Sequence, residues 1–81
     1  MKRTYRETKT GQKVLLIQTD NFYIRSRWSR MFNNYQADIE LRKMAGTPII
    51  AFGEASSLKK AIINCIKNAR IFKDALNKVL K

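Results

Sequence analysis

Hydrophobic and polar positions alternate along the first two thirds of the chain, and from Ser57 onward they follow a helical period. Arg3-Thr4-Tyr5-Arg6-Glu7-Thr8 alternates, Lys9-Thr10-Gly11-Gln12 supplies a turn, and Lys13-Val14-Leu15-Leu16-Ile17-Gln18 is a short apolar run. Residues 3–18 therefore read as a β-hairpin whose second strand, apolar on both faces, is expected to be central. After a turn at Thr19-Asp20-Asn21, residues 22–28 place Phe22, Ile24 and Trp28 on one face and Tyr23, Arg25 and Arg27 on the other. Tyr35 to Arg42 alternates for eight residues, as a sheet with one wet face requires, although Glu40 and Arg42 taken alone would suit a helix. Gly46 and Pro48 punctuate before Thr47 to Phe52, where Ile49-Ile50-Ala51-Phe52 forms a short strand with Pro48 at its start or on an edge. The pattern gives four strands and allows a fifth.

From Ser57 onward, Leu58, Ala61, Ile62, Cys65, Ile66, Ala69, Phe72, Ala75, Leu76, Val79 and Leu80 fall on one stripe, with Ser56 or Ser57 as N-cap. An unbroken helix over 57–80 would be about 36 Å long, against about 20 Å for a six-residue strand, so its last turns would overhang the sheet. Either a second subunit covers the overhang or the helix bends near Asn68, where Ile71 and Phe72 shift the stripe. The predicted fold is α+β. Four meandering antiparallel strands, or five, occupy about 3–52 and pack against one long C-terminal amphipathic helix, all in a single domain over 1–81.

Composition narrows the class. A chain of 81 residues buries one modest core and is marginal alone, so self-association as a homodimer is an expected remedy. Hydrophobic residues at 44% argue against disorder. Cys65 is the only cysteine and cannot form an internal disulfide. The chain opens without the apolar stretch of a signal peptide and has no run long enough to span a bilayer, so a cytoplasmic protein without a membrane partner is expected.

Charge changes the picture most. Seventeen Lys and Arg against six Asp and Glu give a net charge of +11, which repels like molecules and attracts polyanions. Residues 1–34 hold eight basic against two acidic side chains, residues 35–56 two against three, and residues 57–81 seven against one. Tyr23, Arg25 and Arg27 on the open sheet face, with Arg3, Tyr5 and Arg6 from the first strand and Arg30 from the following loop, can stack bases and hold phosphates. A competing use of the same residues is cross-strand pairing. A hairpin turning around 30–34 sets Arg27 opposite Gln36, Arg25 opposite Asp38 and Tyr23 near Glu40. In that loop Phe32 is expected to tuck into the core or, with Met31, to form a partner contact; Trp28 is expected in the core. The polar side of the helix carries Lys59, Lys60, Lys67, Arg70, Lys73, Lys78 and Lys81 against Asp74 alone, without the Glu and Lys pairs that would serve solubility. Its apolar stripe is needed to cover the sheet, which argues against a membrane-surface helix.

Catalysis is not expected. With no His, the usual general base near neutral pH is missing, and a metal site would have to be built from carboxylates. Cys65 lies on the apolar stripe and is expected to be inert. Asp38 and Glu40, about 7 Å apart on one strand face, faintly resemble the acidic and basic constellation of metal-dependent nucleases, but Arg42 stands where a lysine is expected. No cofactor or metal is implied.

Residues 22–27, the alternating Tyr35 to Arg42, the short strand Ile49 to Phe52 and the helix from Ser57, about 60 residues in all, resemble in pattern the whirly and purine-rich-element-binding (PUR) single-strand-binding folds. That resemblance implies curved antiparallel sheets, dimerisation and binding of nucleic acid. No helix-turn-helix spacing, zinc-ligand set or basic zipper argues for duplex reading. In its shortness, basicity and Lys and Asn content the chain also resembles accessory proteins of bacteriophages. The expected function is non-catalytic binding of RNA or single-stranded DNA, with Lys60, Lys67, Arg70 and Lys78 adding phosphate contacts. The alternative is an inhibitor or antitoxin that docks on an acidic or RNA-binding host protein, with RNA bridging the two.

Overall fold

The computed structural model describes residues 2–42 and 49–80. Gly46, Thr47 and Pro48, where the fifth strand was expected to start, and Lys43 and Lys81 lie outside the described residues. Five strands, β1 (Lys2–Glu7), β2 (Lys13–Gln18), β3 (Phe22–Ser29), β4 (Asn34–Leu41) and β5 (Ile49–Ala55), form one antiparallel meander in the order β1-β2-β3-β4-β5. The fold is thus α+β with all five strands realised, and β2 is an internal strand next to the middle strand β3.

Each turn has a local cause. Between β1 and β2, Gly11 takes φ +80°, a conformation a side chain disfavours, while Gly11 N–H donates to the Thr8 carbonyl at 2.9 Å. Thr19 closes the next turn, its Oγ1 accepting from the Phe22 N–H at 3.0 Å. At the third, Asn33 adopts the left-handed region at φ 53° that Asn tolerates better than most residues.

Alternation decides which side chains meet the helical layer. Leu15, Ile17, Phe22, Ile24, Ala37, Ile39, Leu41 and Ala51 face inward and pack under Ala61, Ile62, Cys65, Ile66 and Ala69. Trp28 is half-buried on this face, edge-to-face with Tyr35 at 5.1 Å. Helix α1 (Leu58–Asn68) is capped by Ser57, whose Oγ accepts from the Lys60 N–H at 3.2 Å. It settles directly onto β5 because residue 53 is Gly. A Cβ there would fall 2.6 Å from the Cα of Cys65 and 2.7 Å from the Ala61 carbonyl oxygen.

The single long helix expected over 57–80 is not formed. α1 ends at Asn68, Ala69 turns extended (ψ 128°), and Phe72 takes the left-handed region at φ 58° before a short helix α2 (Lys73–Asn77) and a 3₁₀ turn at Lys78–Leu80. Sheet width explains the break. Five strands about 4.8 Å apart span about 19 Å, whereas a helix is about 10 Å across. α1 lies chiefly over β4 and β5. The segment after the break adds Leu76 and Val79 to the core that holds Phe22 and Ile17, with the Phe72 ring edge-on to Phe22 at 5.5 Å. Arg3 fastens the end of the chain by donating from its guanidinium to the Val79 carbonyl at 2.7 Å. Of the two alternatives left open for the overhang, a second subunit or a bend near Asn68, the described residues show a break in the helix over Ala69 to Phe72.

Candidate nucleic-acid interface

The register defines the face left open by the helices as three rows running across all five strands. Lys2, Gln18, Tyr23, Glu40 and Ile49 form one; Thr4, Leu16, Arg25, Asp38 and Phe52 the next; Arg6, Val14, Arg27, Gln36 and Glu54 the third. Arg27 opposite Gln36, Arg25 opposite Asp38 and Tyr23 opposite Glu40 are the pairings expected of the β3–β4 hairpin. A bulge between Ile39 and Glu40 leaves Ile50 as the extra residue on β5.

Charge is segregated on this face. Lys2, Arg6, Arg25 and Arg27 stand on β1 and β3, while Asp38, Glu40 and Glu54 stand on β4 and β5. Among the described residues both ion pairs are made by Arg25, at 3.6 Å from Asp38 and 3.9 Å from Glu40. The guanidinium is half-buried between them, so the acidic pair that faintly resembled a nuclease site is engaged with a cation. Glu54 accepts from the side-chain amides of Gln36 at 3.1 Å and Asn34 at 3.4 Å. Each carboxylate of the face thereby has a partner, although Asp38 Oδ1 and Arg25 Nε, both buried, make no hydrogen bond. Arg27, Arg6 and Lys2 remain exposed and outside the two ion pairs.

Around Tyr23 these features converge. Lys2, Thr4, Arg6, Leu16, Gln18 and Tyr23 line a pocket of ≈ 100 Å³, with Tyr23 half-buried. Arg42 closes one end of this region. Its guanidinium donates to the Thr19 carbonyl at 2.6 Å, and with the Gln18 amide turned so that its oxygen faces Arg42 it donates there at 3.0 and 3.2 Å. An aromatic ring among three cations and an amide offers stacking, phosphate contacts and a polar hydrogen-bonding group within one surface.

The structure separates the residues expected to act together. Arg6, Tyr23, Arg25 and Arg27 share the open face, but Arg25 is consumed by its acidic partners. Arg3 and Tyr5 are corrected to the opposite face. They are register partners of Ile17 and Leu15, whose side chains are in the core, and they border the helical layer. Arg30 is exposed at the β3–β4 turn beside Met31 (86% exposed) and Phe32 (61%), so Phe32 does not enter the core. Lys60, Lys67, Arg70 and Lys78 are exposed on the helical layer with Lys59 and Lys73, opposed there by Asp74. Lys2, Leu16, Gln18, Arg42 and the exposed Phe52 were not anticipated. Arg42 was detectable, since alternation from Asp38 and Glu40 puts it on their face, whereas the β1 residues depended on a register the pattern leaves open.

Comparison with protein-family models, curated proteins and solved structures finds no match to this chain. Among the described residues no helix is long and apolar enough to cross a membrane, and no group of three or more His, Cys, Asp or Glu could hold a metal ion.

Proposed function

We propose that this chain is a non-catalytic cytoplasmic protein that binds RNA or single-stranded DNA on the β1–β3 half of its open sheet face. The observation that carries the reading is Tyr23 set among Lys2, Arg6 and Gln18 while the carboxylates of the same face are engaged by Arg25, Gln36 and Asn34. A flexible single strand can lay a base on Tyr23 and track its phosphates past Lys2, Arg6, Arg27 and Arg42. A duplex would meet a sheet face on which, among the described residues, no element is positioned to enter a groove.

The test is fluorescence anisotropy of labelled single-stranded RNA and duplex DNA of equal length, titrated at about 50 and 200 mM salt. With four phosphates neutralised, the logarithm of affinity for the single strand falls with a slope of about −3 against the logarithm of salt. Tyr23→Ala costs about 1 to 3 kcal/mol of binding. A slope near zero, or full affinity in Tyr23→Ala, would refute the assignment.

A second reading has its own observation: Met31 and Phe32 project from the β3–β4 turn beside Arg30, an apolar and cationic tip suited to a protein target. That supports an inhibitor or antitoxin of the bacteriophage kind. Such a protein, purified without its partner, carries no nuclease-removable material absorbing at 260 nm, whereas the nucleic-acid binder does.

A further inference from the structure

The two edges of the sheet are treated differently. On β5, the side-chain amides of Asn64 and Asn68 donate to the carbonyls of Glu54 (2.8 Å) and Phe52 (2.9 Å), two residues apart and so on one side of the strand. α1 thus fills that edge and leaves it little capacity to pair with another strand. On β1 nothing comparable occurs: among the described residues no side chain hydrogen-bonds to its outward backbone, and five of its six residues are exposed. On the helical side its own Tyr5 (65% exposed) and the neighbouring Leu80 (44%) form an uncovered apolar margin.

We propose that β1 pairs with β1 of a second copy, antiparallel, to make one continuous ten-stranded sheet. The charges of β1 select the register. With both helical layers on the same side, paired residues must come from the same face, so only every second register is allowed. Thr4 opposite Thr4 of the partner subunit sets Lys2 against the partner's Arg6; Arg3 centred on itself and Arg6 centred on itself each set Arg against Arg. Like charges directly opposite destabilise all three. Tyr5 opposite the partner's Tyr5 is free of this conflict. It pairs the two rings, sets Thr4 against the partner's Arg6, and places Arg3 against the partner's Glu7 twice across the two-fold axis. Arg3 has donors to spare, because its bond to Val79 uses one nitrogen of a five-donor guanidinium. Glu7 is opposite Lys13 in the register yet makes no ion pair with it among the described residues. The assembly also brings the partner's Arg6 beside Thr4, at the margin of the Tyr23 pocket. It does not depend on nucleic-acid binding.

The pairing is tested by sedimentation equilibrium of nuclease-treated full-length protein from about 10 µM to 1 mM, the range suited to a small interface. The parent protein dimerises. Arg3→Glu and Glu7→Arg each place two like-charge pairs at the interface and weaken dimerisation about tenfold. An equimolar mixture of the two variants restores association, because in the mixed dimer one pair regains the native Arg3 and Glu7 while the other carries the same two charges exchanged. Unchanged circular dichroism of each variant separates this result from misfolding. A monomeric parent at the highest concentration overturns the proposal, as does a mixture that associates no better than either variant alone.

Discussion

At the residue scale, Cys65 shows what burial does to chemistry. Fully buried on α1, its thiol is pushed from the ordinary value of 9.0 up to about 12, mainly by desolvation and further by the charge of Asp38. In the unfolded chain the thiol ionises near its ordinary value, so above that pH the unfolded state sheds a proton that the folded state keeps. The stabilising contribution is therefore complete below about pH 9 and is lost as pH rises toward 12, with a slope of at most about 1.4 kcal/mol per pH unit. Urea midpoints between pH 8 and about 11 are expected to fall more steeply for the parent than for Cys65→Ala; parallel curves would show that the thiol does not couple to folding. The burial of Cys65 was legible from its position on the apolar stripe. So was the pairing of Arg25 with Asp38, because alternation and a turn around 30–34 leave one register for β3 and β4. Arg3 and Tyr5 were not legible. Val14-Leu15-Leu16-Ile17 is apolar on both faces, so β2 gives no parity from which to orient β1.

Elements add what single positions cannot. The stripe from Leu58 to Ala69 returns in phase at Leu76 and Val79 after the shift at Ile71 and Phe72, and no Gly or Pro marks the break at Ala69 to Phe72. The same core receives side chains before and after the break, so periodicity alone reads one helix where the width of the sheet demands two segments. The contact of α1 with β5 is set by a different feature, the missing side chain of Gly53, and it is here that the fold is least tolerant. Gly53→Ala drives a methyl group into the backbone of Cys65 and Ala61, atoms that cannot swing aside. The expected loss is about 3 kcal/mol in urea unfolding, the upper part of the range for overpacking. Retention of parental stability would mean that α1 rides further from the sheet.

For the whole molecule, the decisive fact is that cations occupy two opposite surfaces. Arg6, Arg27 and Lys2 lie on the open sheet face, while Lys60, Lys67 and Lys78 lie on the helical layer. The shortest dimension is 21 Å, more than twice the Debye length of about 8 Å at physiological salt, so each surface acts on the ligand segment that touches it. Both contribute to the long-range positive field; on the sheet face the half-buried Tyr23 stands among the cations, whereas on the helical side the exposed Tyr5 stands beside Arg3 and Lys59. Two triple variants of equal charge separate these roles. Lys2→Ala with Arg6→Ala and Arg27→Ala, and Lys60→Ala with Lys67→Ala and Lys78→Ala, each lower the net charge from +11 to +8, since 11 − 3 = 8. The sheet-face variant is expected to make the salt slope of RNA binding shallower by about 2, at about 0.7 per lost contact. The helical variant keeps the parental slope and, at about 200 mM salt, stays within roughly threefold of parental affinity, because screening removes the field and leaves the contacts. The reverse pattern would move the interface to the helical layer, and equal losses would show that net charge rather than a built surface governs binding.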